Sequence, residues 1–233
     1  SVGLSPTPCW RRIKKLEDQL HRLDEALGVM SRTLCDALAG DARLVPGDRV
    51  SLVLSCWNAS ADTQVVRMTA RVAGAVVHRG EPRVLAPGAV VAESVTVALP
   101  DTLSPTQPWF LHVPRDGAMY VWPVWARAWY GLPASPAPAV AEFEVHGGPV
   151  LRRAAVHRTV DQGLGEVRTP LTVVPRISVT VSPGLEVWPA GRTEDRPWTV
   201  TLDLAGRAPV AGQVVLEVPT GWPAPAPVPF RLA

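Results

Sequence analysis

Residues 44–56 read LVPGDRVSLVLSC, and their alternation decides the fold. Pro46-Gly47 makes a turn, after which Val50, Leu52, Leu54 and Cys56 recur at every second position. A period of two puts all four on one face of an extended chain, the mark of a half-buried strand. The same period returns at Val66, Met68, Ala70 and Val72, and again at Val95, Val97 and Leu99 after Pro87-Gly88. Further on, Ala141, Phe143 and Val145, with the run from Val150 to Val160, suggest a hairpin around Gly147-Gly148; Val173-Val174 closes the set. About seven short antiparallel strands with no second helix predict a β-sandwich.

Upstream the period is helical. Thr7-Pro8 offers a hydroxyl cap followed by proline at the first helical position. Ile13, Leu16, Leu20, Leu23, Leu27, Met30 and Leu34 then follow in steps of three and four, a heptad seam that Gly40 would end. Such a seam serves a coiled-coil dimer or docks on a neighbouring domain. Flanking positions such as Ala26, Ser31 and Thr33 supply few charge pairs, which favours docking on the sandwich or on an upstream domain. Downstream, alternation resumes at Ile177, Val179 and Val181, at Trp198 to Leu204, and at Val214, Leu216 and Val218. About four strands fit there, fewer than a full sandwich needs. The expected fold is therefore all-β, with Ig-like β-sandwich domains preceded by one long helix. The expected divisions are a helical connector over 1–41, a sandwich over 42–175, and a second, truncated Ig-like sandwich over 176–233.

Aromatic residues concentrate in one stretch, SPTQPWFLHVPRDGAMYVWPVWARAWYGLP at 104–133, which carries four of the nine tryptophans and both tyrosines. Pro105, Pro108, Pro114 and Pro123 exclude a long helix, and Asp116-Gly117 signals a turn. Such rings either plug the end of a sandwich or form a stacking platform for a glycan. In the second case Trp109, Tyr120, Trp122 and Trp125 are the contacts. By parity Tyr120 and Trp122 share one side of an extended segment, and Trp122 and Trp125 do not.

The remaining composition narrows the function by what it lacks. A net charge of +2 leaves no electrostatic footprint for nucleic acid. Lys14 and Lys15 are the only lysines, a bias that fits a GC-rich genome. No apolar run reaches membrane-spanning length. Cys9, Cys35 and Cys56 lack metal spacing: the first two fall within the expected helix, too far apart to pair, and Cys56 reads as a small buried hydrophobe. His21, His78, His112, His146 and His157 show no paired ligand spacing, and neither a nucleophile elbow nor a phosphate-cradling loop occurs. Asp161 and Glu166 in VDQGLGEVR invite a reading as paired carboxylates, with ion pairs to Arg158 and Arg168 the simpler account. Asn58-Ala59-Ser60 fits the glycosylation pattern.

Several segments taken together resemble a known arrangement. LVPGDRVSLVLSCWNAS, TQPWFLHVPRDGAMYVWP with GLP after it, and GEVRTPLTVVPRISVTVSP resemble the region downstream of the catalytic domain in large bacterial PIG-L (LmbE-like) deacetylases. LEVWPAGRTEDRPWTVTLDL and VPTGWPAPAPVPFRLA resemble the alpha-galactosidase-associated Ig-like domain that follows it. The resemblance implies a non-catalytic accessory region of an N-acetylglucosaminyl deacetylase, in an extracytoplasmic bacterial setting. Its partners would be an upstream catalytic domain of the same polypeptide and a glycan. Zinc is implied only for that absent domain, because no A-H-P-D-D-E-like motif exists here; catalytic, cofactor and metal residues are therefore assigned to none. The alternatives are a structural or adhesive surface module with no enzyme attached and a free-standing glycan-active enzyme.

Overall fold

A computed structural model describes residues 9–121, 123, 137–187, 189, 191 and 196–233, and of residues 9–14 and 17 the helix backbone. The chain divides into two units, Ser1–Val173 and Val174–Ala233. Among the described residues it is all-β after a single α-helix.

Helix α1 runs Cys9–Ser31. The leucine spacing predicts a helix on to Gly40, but residues 33–39 instead form strand β1 (Thr33–Ala39). Thr33, Cys35, Ala37 and Ala39 are all buried, so the strand gains a full core face. That burial outweighs the helix propensity of its leucines and alanines. The break falls at Arg32, whose φ is 52. Gln64 secures it by donating its Nε2 to the Ser31 carbonyl at 2.8 Å, taking up an acceptor that a helix end leaves free.

The strands follow as β2 (Arg43–Leu44), β3 (Arg49–Asn58), β4 (Gln64–Val72), β5 (Ala75–Arg79), β6 (Arg83–Leu85) and β7 (Val90–Ala98). After a 3-10 turn at Trp109–Leu111 come β8 (Ala139–Val145), β9 (Val150–Ala154), β10 (Val156–Asp161), β11 (Gly165–Pro170) and β12 (Thr172–Val173). One sheet has the order β11-β10-β1-β3-β7; the other is β5-β4-β8-β9, with β6 also paired to β4. Gly147, at φ 71, turns β8 into β9 as expected. The run from Val150 to Val160 is not one arm, however. It breaks at buried Ala155, whose N–H bonds the Ala139 carbonyl at 3.0 Å. Beyond that point β10 crosses to the opposite sheet and lies parallel to β1. A second parallel pair joins β2 and β12; both depart from the all-antiparallel expectation because the chain changes sheets between the partners.

The two sheets share one core. Leu52, Leu54, Val66, Met68 and Val97, all expected inside, are buried with Phe143 and Leu151, and Val95 packs against them half-buried. Burying a side chain of this size contributes about 1.5–3 kcal/mol. Cys35 and Cys56 sit directly opposite each other on β1 and β3 and form a disulfide, S–S 2.12 Å. Cys35 is thus a strand residue, and Cys56, buried as expected, is half of a bridge.

The second unit carries β13 (Ile177–Ser182), β14 (Thr199–Leu204), β15 (Val210–Val214) and β16 (Val228–Leu232). They pair as two hairpins, β13–β14 and β15–β16. A strand predicted around Val214, Leu216 and Val218 lies earlier, at β15. Its partner strand is preceded by Pro223, Pro225 and Pro227, which have no N–H for a longer ladder.

Candidate functional site

The central aromatic stretch is tied down at its start. Thr106 donates its N–H to the Val173 carbonyl at 2.9 Å, and its Oγ1 accepts the Val173 N–H at 2.9 Å. Pro108 then leads into the 3-10 turn, which places Trp109 and Phe110 side by side with ring centroids 5.7 Å apart, edge to face. Asp116 and Met119 exchange two hydrogen bonds of 3.0 Å each around Gly117, at φ 56. The Asp116-Gly117 signal is therefore a real turn, and it brings Tyr120 back over the two earlier rings.

Tyr120 meets Phe110 at 5.0 Å and Trp109 at 6.2 Å between centroids. Each such contact contributes about 0.5–1.5 kcal/mol beyond burial. Trp109 and Phe110 are half-buried, whereas Tyr120 is 50% exposed. The Arg115 guanidinium lies 5.9 Å from the Tyr120 ring centroid, so one face of that ring already has a cation. Of the four proposed glycan contacts, the structure brings Trp109 and Tyr120 together. Trp122 and Trp125 lie outside the described residues, and with them the shared face of Tyr120 and Trp122.

A second aromatic feature is absent from the expected set. Trp57 pairs with Leu34 on one side and Val90 on the other, and all three are exposed. They form an apolar row across β1, β3 and β7 on the outer face of the sheet. Parity carried the signal: Val50, Leu52, Leu54 and Cys56 point inward, so residue 57 points outward.

Several charged groups among the described residues pair with one another. Glu142 accepts from Arg71 at 2.8 Å and lies 3.2 Å from Arg152. Glu93 is 3.0 Å from His78 Nε2 and 3.5 Å from Arg83. In the VDQGLGEVR loop, Asp161 accepts the Gly163 and Leu164 N–H groups at 2.8 and 2.9 Å; the Leu164 bond, then the Gly163 bond, hold its carboxyl below the usual range. Arg168 grips Asp36 with two bonds, 3.0 and 2.8 Å, and Glu166 with one of 2.7 Å. Those carboxylates, Asp36 foremost, raise its pKa further. The loop is an ion-pair network rather than a carboxylate pair. Among the described residues no three His, Cys, Asp or Glu side chains group to hold a metal. Asn58 is fully buried, donating its amide to the Asp62 and Leu85 carbonyls at 2.8 and 3.0 Å.

A family model for winged helix-turn-helix DNA-binding matches residues 1–19, whose described part is the first half of α1. No curated protein sequence matches the chain. Among solved structures, the chain is similar to Spo0M, a sporulation control protein from Bacillus subtilis, at 12% identity and a TM-score of 0.32, covering 61% of this chain and 49% of that one. It is also similar to the alkylpurine DNA glycosylase AlkC of Pseudomonas fluorescens, bound to DNA containing an abasic site analog, at 14% identity and TM-score 0.31, covering 66% and 34%. A third is the β-glucosidase EmGH1 of Erythrobacter marinus, at 18% identity and TM-score 0.25, covering 61% and 15%. The chain spans half or less of each of these structures, and likenesses this loose assign no function.

Proposed function

We propose that this chain is the non-catalytic accessory region of a bacterial PIG-L (LmbE-like) N-acetylglucosaminyl deacetylase, supporting a catalytic domain of the same polypeptide. One observation carries the reading: the segments that bear the resemblance meet at one place and do architectural work there. Leu44, from LVPGD, pairs with Val173, from PLTVVP. Val173 in turn exchanges two hydrogen bonds with Thr106, from TQPW. Leu44 and Val173 are buried. Buried residues that close a sandwich serve its architecture, which is the part a support module plays. The Cys35–Cys56 bridge supports an extracytoplasmic setting, where disulfides persist.

Glycan binding is the ligand role within this reading, with Tyr120 as the accessible ring and Trp109 behind it. The test is made on the reading frame that contains the chain. Removing residues 1–233 from the longer polypeptide is expected to lower the catalytic domain's melting temperature, while the isolated chain releases no acetate from N-acetylglucosamine oligomers. A reading frame without such a domain, or acetate released by the isolated chain, overturns the assignment. Titration of those oligomers is expected to saturate, and Tyr120→Ala is expected to weaken binding at least tenfold with folding intact. No saturation in the parent chain removes the glycan role alone.

A further inference from the structure

The face that α1 turns toward its own sandwich is the wrong one for its leucines. Gly28 is buried against Leu151, where a Cβ would collide with that side chain, and Glu25 pairs with Arg153 of β9. At 100° per residue, Leu16, Leu20, Leu23, Leu27 and Met30 lie on the opposite side of the helix. They are 59%, 61%, 55%, 37% and 78% exposed. Docking of the seam on the first sandwich, one of the two expected surfaces, is therefore excluded within this unit.

We propose that the seam pairs with a second copy of the chain as a parallel two-stranded coiled coil. In heptad register Ile13, Leu20 and Leu27 hold position a, and Cys9, Leu16, Leu23 and Met30 hold position d. A β-branched residue at a with leucine at d suits two parallel strands, and Ile13 with Leu16 and Leu23 supplies that pairing. The register is continuous over the full length of α1. Its docked residues, Glu25 and Gly28, fall at f and b, so the sandwich and a partner helix occupy opposite faces without conflict. Area agrees as well. At roughly 60–120 Å² for a large apolar side chain, Leu16, Leu20, Leu23, Leu27 and Met30 of two copies remove about 600–1,200 Å², a range that reaches the ~1,000 Å² a specific interface needs.

Cys9 reports the register. It is the cysteine left over once Cys35 and Cys56 are joined, and d positions of parallel partners face each other. The test is analytical ultracentrifugation of the 233-residue chain over a concentration series, with and without a thiol-oxidising catalyst. The apparent mass is expected to double as concentration rises. Under oxidation a covalent dimer is expected that Cys9→Ser abolishes while leaving the non-covalent dimer in place. The double variant Leu20→Asp/Leu23→Asp is expected to be monomeric with its far-UV sandwich signal intact. A parent chain that stays monomeric throughout, or a dimer that survives the double variant, overturns the proposal. So does a dimer that Cys9 fails to cross-link, because its helices are not parallel and in register. A seam covered by an upstream domain in the longer polypeptide, giving a monomer there, overturns it too.

Discussion

Asn58 offers the sharpest measurement of how this sandwich is closed. The residue ends β3 and is wholly buried, with Nδ2 bonded to the Asp62 and Leu85 carbonyls and Oδ1 accepting from the Ser60 N–H and Oγ at 3.0 and 2.6 Å. Asn58→Ala removes all four bonds at once. The Leu85 bond is fully buried, and its carbonyl loses a partner that water cannot replace, at about 1–3 kcal/mol. The other bonds are only partly buried, so solvent takes over part of their work and they add about 1 kcal/mol together. The expected loss is therefore about 2–4 kcal/mol, or roughly 5–15 °C in melting temperature for a unit of this size. Asn58→Asp separates donor from acceptor. It keeps an acceptor for Ser60 but sets a carboxylate oxygen against two carbonyls, so it is expected to destabilise at least as much. Urea titration followed by far-UV circular dichroism measures both variants. A loss below about 0.5 kcal/mol in the alanine variant, or a tolerated aspartate, would refute the argument that the amide's two donated bonds hold the turn. The same burial leaves a glycan no place: chains made in a glycosylating host and recovered folded are expected to carry none at Asn58.

Breaking the Cys35–Cys56 bridge by the paired change Cys35→Ala/Cys56→Ala releases a loop closed across a separation of 21 residues, which is expected to cost about 3 kcal/mol in chemical denaturation; unchanged stability would mean the bridge does not restrain the chain. Asp161 has its folded pKa below the ordinary 3.8, so the stability it contributes is present above pH 3.8 and is lost as pH falls through the folded value. An NMR titration of its carboxyl should show a midpoint below 3.8, and a midpoint at or above that value would contradict the two backbone bonds drawn to it.

The sequence disclosed the sandwich because burial on one face of a strand leaves a period of two, and Val50 to Cys56 or Val66 to Val72 carry it without interruption. It disclosed much less where two periods overlap. Leu34 continues the seam at the correct heptad step, yet Cys35, Ala37 and Ala39 alternate into the core. Leucine and alanine suit both patterns, and only the partner strand β3 decides between them. Misplacing that boundary also concealed the disulfide. A cysteine assigned to a helix cannot be imagined opposite Cys56, although the two are direct neighbours in the register. The crossing at Ala155 was illegible for a related reason: a strand that leaves one sheet for another keeps its apolar character, and nothing local marks the change of partner.

The candidate site divides along the same line. Asp116-Gly117 could be read because a tight turn states its chemistry in two residues. The meeting of Tyr120 with Trp109 could not, since it depends on where a 3-10 turn aims two rings. Trp57 is legible in principle, because its outward parity follows from the strand that Val50 to Cys56 define. An outward tryptophan between outward Leu34 and Val90 on neighbouring strands is no packing requirement of this core, which is filled from the other face. The same holds for the leucines of α1, which lie away from the face by which Gly28 and Glu25 dock on β9. A sandwich whose core is filled from its inner faces, and whose exposed apolar residues fall in ordered rows on its outside, has those rows available for other chains. The helix offers the longer row and the stricter repeat, and a strict repeat is what a copy of itself can match residue for residue.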